Sequence, residues 1–127
     1  MELNNMNVAE TDTSGSGKLQ PKKVKIMDVE IKVQPIKDGK EKPVLTLRCK
    51  HPDREETIEI RKVKSIKNEK LEVEGLWINL NEKNEIQRGS ALARMLIFFG
   101  LKNPKELKGK EIETTTNEAN YLVIKAY

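Results

Sequence analysis

From Lys22 to Gln34 apolar residues recur at every second position, and the phase of that alternation changes once. Val24 and Ile26 hold one phase, while Val29, Ile31 and Val33 hold the other. A period of two belongs to a β-strand, because successive side chains point to opposite faces of the sheet. A single change of phase requires one extra residue, so the pattern predicts a long strand with a bulge near Met27-Asp28. Bulged strands bend and twist more strongly, as the first strand of a small barrel must.

The remaining segments extend this reading. Lys37-Asp38-Gly39-Lys40 supplies a turn, and Val44 to Lys50 is a second strand with Leu45, Leu47 and Cys49 inward and Thr46, Arg48 and Lys50 outward. His51-Pro52-Asp53 breaks it, leaving His51 in a surface turn. Glu56 to Val63 and Leu71 to Leu80 follow as strands around a turn at Lys67-Asn68-Glu69, and Gly75 marks a second change of phase. Leu92, Met95, Leu96 and Phe99 form an apolar stripe at helical spacing, closed by Gly100. Asn103-Pro104 starts a capped turn. Glu111 to Thr116 and Tyr121 to Tyr127 are the last strands. The predicted class is mostly β, an OB-like barrel, with one α-helix between the fourth and fifth strand segments. Other small α+β folds share that order of elements.

Residues 1–20 hold a Gly-Ser run and almost nothing apolar, so a disordered tail is expected there and a single folded domain over 21–127. The tail carries three carboxylates against one lysine, so the domain is more basic than the net charge of +4 suggests. One cysteine, Cys49, and one histidine, His51, exclude an internal disulfide and a conventional zinc site. No apolar run approaches the roughly 20 residues of a membrane span, and no secretion signal is recognisable. A cytoplasmic protein without membrane attachment, metal or other cofactor is the expectation. Gly15-Ser16-Gly17-Lys18 imitates a phosphate loop, but it follows no strand and opens no helix.

The stretch Gly89 to Tyr127 runs from a short apolar helix through Asn103-Pro104-Lys105-Glu106-Leu107-Lys108-Gly109-Lys110 to a terminal hairpin. It resembles the C-terminal part of small phage and archaeal single-strand DNA-binding-type proteins. The resemblance rests mainly on the Leu-Lys-Gly-Lys turn into a strand. It implies an OB-like fold and a role in DNA replication, recombination or repair.

Catalysis finds no support in the residues: His51 has no carboxylate or nucleophile at useful spacing, and Cys49 reads as a buried small hydrophobe, so no enzyme is expected. Nucleic-acid binding has more physical content. Arg48, Lys50, Arg61, Lys62 and Lys64 lie along successive strands, where cations can follow phosphates and release counterions. Asp53, Glu55, Glu56, Glu59 and Glu69 in the same interval offset part of that field. Trp77 and Tyr121 oppose apolar neighbours in phase and are the candidates for stacking bases, whereas Phe98 and Phe99 are assigned to the core. The expected function is sequence-tolerant binding of single-stranded DNA or RNA. The alternative is a protein-interaction or structural module, docking through the helix face of Ile97 and Phe98, with a homodimer among the states it allows.

Overall fold

A computed structural model describes residues 19–127. The tail expected over residues 1–20 lies outside the described residues except for Leu19, packed against the core, and Gln20, whose carbonyl meets His51.

The bulge sits where the alternation changes phase. Strand β1 (Val24–Pro35) pairs antiparallel with β2 (Glu41–Lys50), and the register steps between Ile26↔Cys49 and Asp28↔Arg48, leaving Met27 extra. Beyond the step Val29 and Ile31 stand opposite Leu47 and Leu45. They share the inward phase, as the sequence predicts, yet Ile31 is 65% exposed and Val33 58%. The hairpin arm runs past the barrel at that end. The turn joining β1 to β2 takes two left-handed residues, Asp38 and Gly39, which an Asp-Gly pair tolerates.

Strands β3 (Ile58–Ile60) and β4 (Lys62–Lys67) are one chain segment bent at Arg61. The β3 half pairs with β2, and the β4 half pairs in parallel with β8 (Leu122–Ala126). In the same way β6 (Glu111–Ile112) pairs with β1 and continues through Glu113 into β7 (Thr114–Thr116), which pairs with β8. Two four-stranded sheets therefore join through two bent strands into a five-legged ring. The fourth leg lies beside the first, the order of a Greek key, and the fifth closes the ring between legs three and four. Three legs precede the helix and two follow it. This is an OB-like barrel.

The extra strand expected between Glu56 and Leu80 is β5 (Lys70–Gly75), hairpinned to β4 through left-handed Asn68 and Glu69. Past Gly75 the chain leaves β4 and lies along β2 instead. The Leu45 N–H donates to the Leu76 carbonyl at 2.8 Å, and the Ile78 N–H to Pro43 at 3.1 Å.

Helix α1 (Ala91–Phe98) is capped by the Ser90 hydroxyl, which accepts from the Ala93 N–H. Gly100, left-handed, ends it with Leu101 N–H to Leu96 and Gly100 N–H to Ile97, the paired bonds of a Schellman motif. Leu92, Met95 and Leu96 are buried in the core with Leu45, Leu47, Leu76, Val63 and Ile124. Phe98 departs from the core assignment at 51% exposed, because its place on the helix lies beside Ile97 rather than on the stripe; Phe99 is half-buried at the core margin. No helix among the described residues is long and apolar enough to cross a membrane.

His51 is a second correction. It is fully buried, not on the surface: Nδ1 accepts from the Asp53 N–H at 3.0 Å, and Nε2 lies 2.7 Å from the Gln20 carbonyl. That geometry assigns the neutral Nε2–H tautomer and ties the start of the folded unit to the end of β2.

Candidate nucleic-acid interface

Register decides which cations are available. On the outer face of β2, Arg48 lies between Asp28 of β1 and Glu59 of β3. Its guanidinium bonds to Glu30 at 2.5 Å and lies 4.0 Å from Asp28. Lys50 donates to the carbonyls of His51 and Arg54, so it staples the turn after β2. Both side chains are occupied within the chain.

Arg61 occupies the bend of the third leg. Its Nε donates to the Thr46 hydroxyl at 3.0 Å and its terminal nitrogen to Glu59 at 2.5 Å. Glu59 also accepts from Lys32, and that hydrogen bond, followed by the charges of Arg61 and Arg48, holds its carboxyl below the usual carboxylate range. Lys62 and Lys64 follow on the outer face of β4. Among the described residues Lys62 has no ion-pair partner, and Lys64 makes only a 3.5 Å contact to the Thr116 carbonyl.

Trp77 meets Val44 across an isolated bridge, so it points to the outer face with Val44 and away from Leu76. Its indole folds back over Gly75, the cross-strand partner of Lys62, and Lys42 stands 5.7 Å from the ring centroid. The indole is half-buried: one part covers Val44 and the core margin, and the remainder is open. A Cβ built on Gly75 would sit 2.6 Å from the indole Nε1. Gly75→Ala is therefore expected to push the ring outward, shifting the single tryptophan's emission to the red at a stability cost of about 1 kcal/mol. An unchanged emission spectrum would place the ring elsewhere.

Tyr121, 51% exposed, stands at the end of the β7–β8 turn, which the Asn117 carboxamide holds by accepting from the N–H groups of Ala119 and Tyr121. A shallow cleft of about 230 Å³ brings Tyr121 and Asn117 together with Gln34, Glu59, Arg61 and Lys62. A second groove along β4 and β5 is lined by Lys62, Lys64, Val73 and the same turn. The two share Lys62 and Asn117, so they make one track along the bent strand. Glu59, Glu72 and Glu118 border it, so its three cations, Arg61, Lys62 and Lys64, are matched in number by carboxylates.

Of the seven residues singled out in the sequence, Arg61, Lys62, Lys64 and Tyr121 line this track, and Trp77 adjoins it across Gly75. Arg48 and Lys50 stand on β2, engaged elsewhere. Sequence reasoning missed Lys42, Gln34 and Asn117. The first two lie at the open ends of β1 and β2, paired in register, and only closure of the barrel gives them a role. Comparison with protein-family models, curated proteins and solved structures found no match to this chain.

Proposed function

We propose that this chain binds single-stranded nucleic acid, DNA or RNA, with little regard for sequence, in replication, recombination or repair, and that it does so without catalysis. The observation that carries the reading is the adjacency of Lys62, without an ion-pair partner among the described residues, to the indole over Gly75 on a strand that continues to Arg61 and Lys64. Unpaired bases have faces that stack on aromatic rings, each such contact being worth about 1–3 kcal/mol, while a row of cations tracks the phosphates. In an OB-type barrel oligonucleotides lie on the face of the second and third strands with the flanking loops, and the track runs along the third of these legs beside the β7–β8 turn.

The test is a titration of Trp77 fluorescence with oligothymidine and oligouridine at low and moderate salt. Quenching is expected with both. Three phosphate contacts give a log–log salt slope near −2, so affinity should fall about 20-fold between 50 and 200 mM salt. Absence of quenching, or affinity indifferent to salt, would overturn the proposal.

A second reading, a protein-interaction module, is favoured by Ile97 and Phe98, 61% and 51% exposed side by side on α1. Binding of a protein to that apolar pair would respond little to salt, which separates the two readings.

A further inference from the structure

The second edge of β1 is open over most of its length. Among the described residues β6 pairs with β1 only at Val24 and Lys25, and the Ile26 backbone bonds to Gly109 and Lys110. From Val29 to Val33 the side of β1 away from β2 has no strand beside it among the described residues. Open edges are templates for pairing with another chain, and folded proteins usually blunt them with a charge or a proline. Asp28 covers the first of the donors on this segment, its carboxylate accepting from the Val29 N–H at 2.9 Å; over Glu30 to Val33 the charges do the opposite of blunting.

The open segment reads Val29-Glu30-Ile31-Lys32-Val33. Laid antiparallel against itself about a two-fold axis at Ile31, it pairs Ile31 with Ile31, Glu30 with Lys32, and Val29 with Val33. Every charge meets its opposite and every apolar residue meets an apolar one. A shift of one residue would place Glu30 against Ile31 and lose both matches, because side chains alternate faces along the strand. A two-fold interface must be self-complementary in this way.

The surroundings agree with the match. Ile31 and Val33, 65% and 58% exposed, are the most exposed apolar residues of β1. They lie on the face opposite to Glu30 and Lys32, so a second strand beside β1 would extend the apolar row on one face and the charged row on the other. On the charged face Glu30 already bonds Arg48 and Lys32 already bonds Glu59, each at 2.5 Å. Pairing would set Glu30 between Arg48 and the partner's Lys32, and Lys32 between Glu59 and the partner's Glu30. Charge then alternates along the ion pairs that cross the seam.

We infer that the chain forms a symmetric dimer by antiparallel pairing of β1 with β1 of a second copy, centred on Ile31. This does not rest on the nucleic-acid reading. Sedimentation of the full chain over a concentration series should show twice the chain mass. Ile31→Lys, which sets two lysines against each other on the axis at an exposed position, should return the monomer with its melting behaviour at low concentration unchanged. In Ile31→Cys the axis brings the two introduced thiols together, so mild oxidation should lock the dimer covalently. In Val33→Cys the introduced thiol faces Val29, and cross-linking should be much weaker; Cys49 is buried and does not interfere. A monomer up to millimolar concentration overturns the inference. So does a dimer that Ile31→Lys leaves intact, or one that Val33→Cys cross-links as readily as Ile31→Cys.

Discussion

At pH 8 the Cys49 thiol is expected to react with a thiol reagent about a thousandfold more slowly in the folded protein than in the urea-unfolded chain. Cys49 is fully buried on the inner face of β2, across from Ile58 and Ile26, with its Sγ 3.5 Å from the Leu47 carbonyl. No cation compensates a thiolate there, and burial pushes the thiol from 9.0 up to about 12. The thiolate is the reactive form, so its scarcity in the fold sets the factor, and the closed core adds to it. The same displacement predicts an alkaline limb. The unfolded chain gives up the thiol proton near pH 9 and the folded chain only near pH 12. Between those values the folded state holds more protons, so stability falls as pH rises, by up to about 1.4 kcal/mol per pH unit from this one group. Below pH 9 the contribution is flat. Denaturation of the wild type and of Cys49→Ala at pH 8, 9, 10 and 11, from below that window to well inside it, isolates the effect from lysine titration. The variant should start less stable and lose less with pH. Parallel curves, or labelling at the unfolded rate, would mean the thiol is not held in the core.

How much of this was legible beforehand depends on the range over which each feature is determined. The bulge in β1 is local: one residue too many in an alternating run, and the register step falls where Met27 and Asp28 predicted it. The glycine stop at Gly100 and the Asn103 cap before Pro104 are equally local and are present. The change of phase at Gly75 is real, but its cause is longer in range. The chain leaves β4 there to lie on β2, and the missing side chain makes room for Trp77. The parallel pairing of β4 with β8, which closes the ring, joins segments about sixty residues apart and leaves no trace in either one's period.

The candidate site divides in the same way. Alternation places Lys62, Lys64 and Trp77 outward without further knowledge. It does not show that Arg48 faces Glu30 and Asp28, since that requires the β1–β2 register after the bulge. His51 escaped because its burial depends on Gln20, thirty-one residues earlier in the chain. Phe98 escaped because a run of apolar residues fills more of a helix than its core-facing stripe can bury.

The charge accounting therefore sharpens the binding proposal to two lysines. Arg48 and Arg61 already meet carboxylates, and Lys50 meets carbonyls, so each would have to exchange a partner to reach a phosphate. Lys62 would not, and Lys64 would give up only its 3.5 Å contact to the Thr116 carbonyl. If each neutralises one phosphate, removing both lowers the salt slope by about 1.4, since single strands release roughly 0.7 counterions per contact. Taking the electrostatic part to vanish near 1 M salt, Lys62→Gln with Lys64→Gln should weaken oligothymidine binding about 60-fold at 50 mM salt and about 10-fold at 200 mM. Both side chains lie on the solvent face of β4, so the melting temperature should hold. A control pair, Lys102→Gln with Lys105→Gln on the capped turn after the helix, removes equal charge and should cost far less. If the two pairs weaken binding equally, net charge alone attracts the ligand and the track along the bent strand has no special part. A loss that is the same at both salt concentrations would instead mean that the lysines hold the site's shape rather than its phosphates.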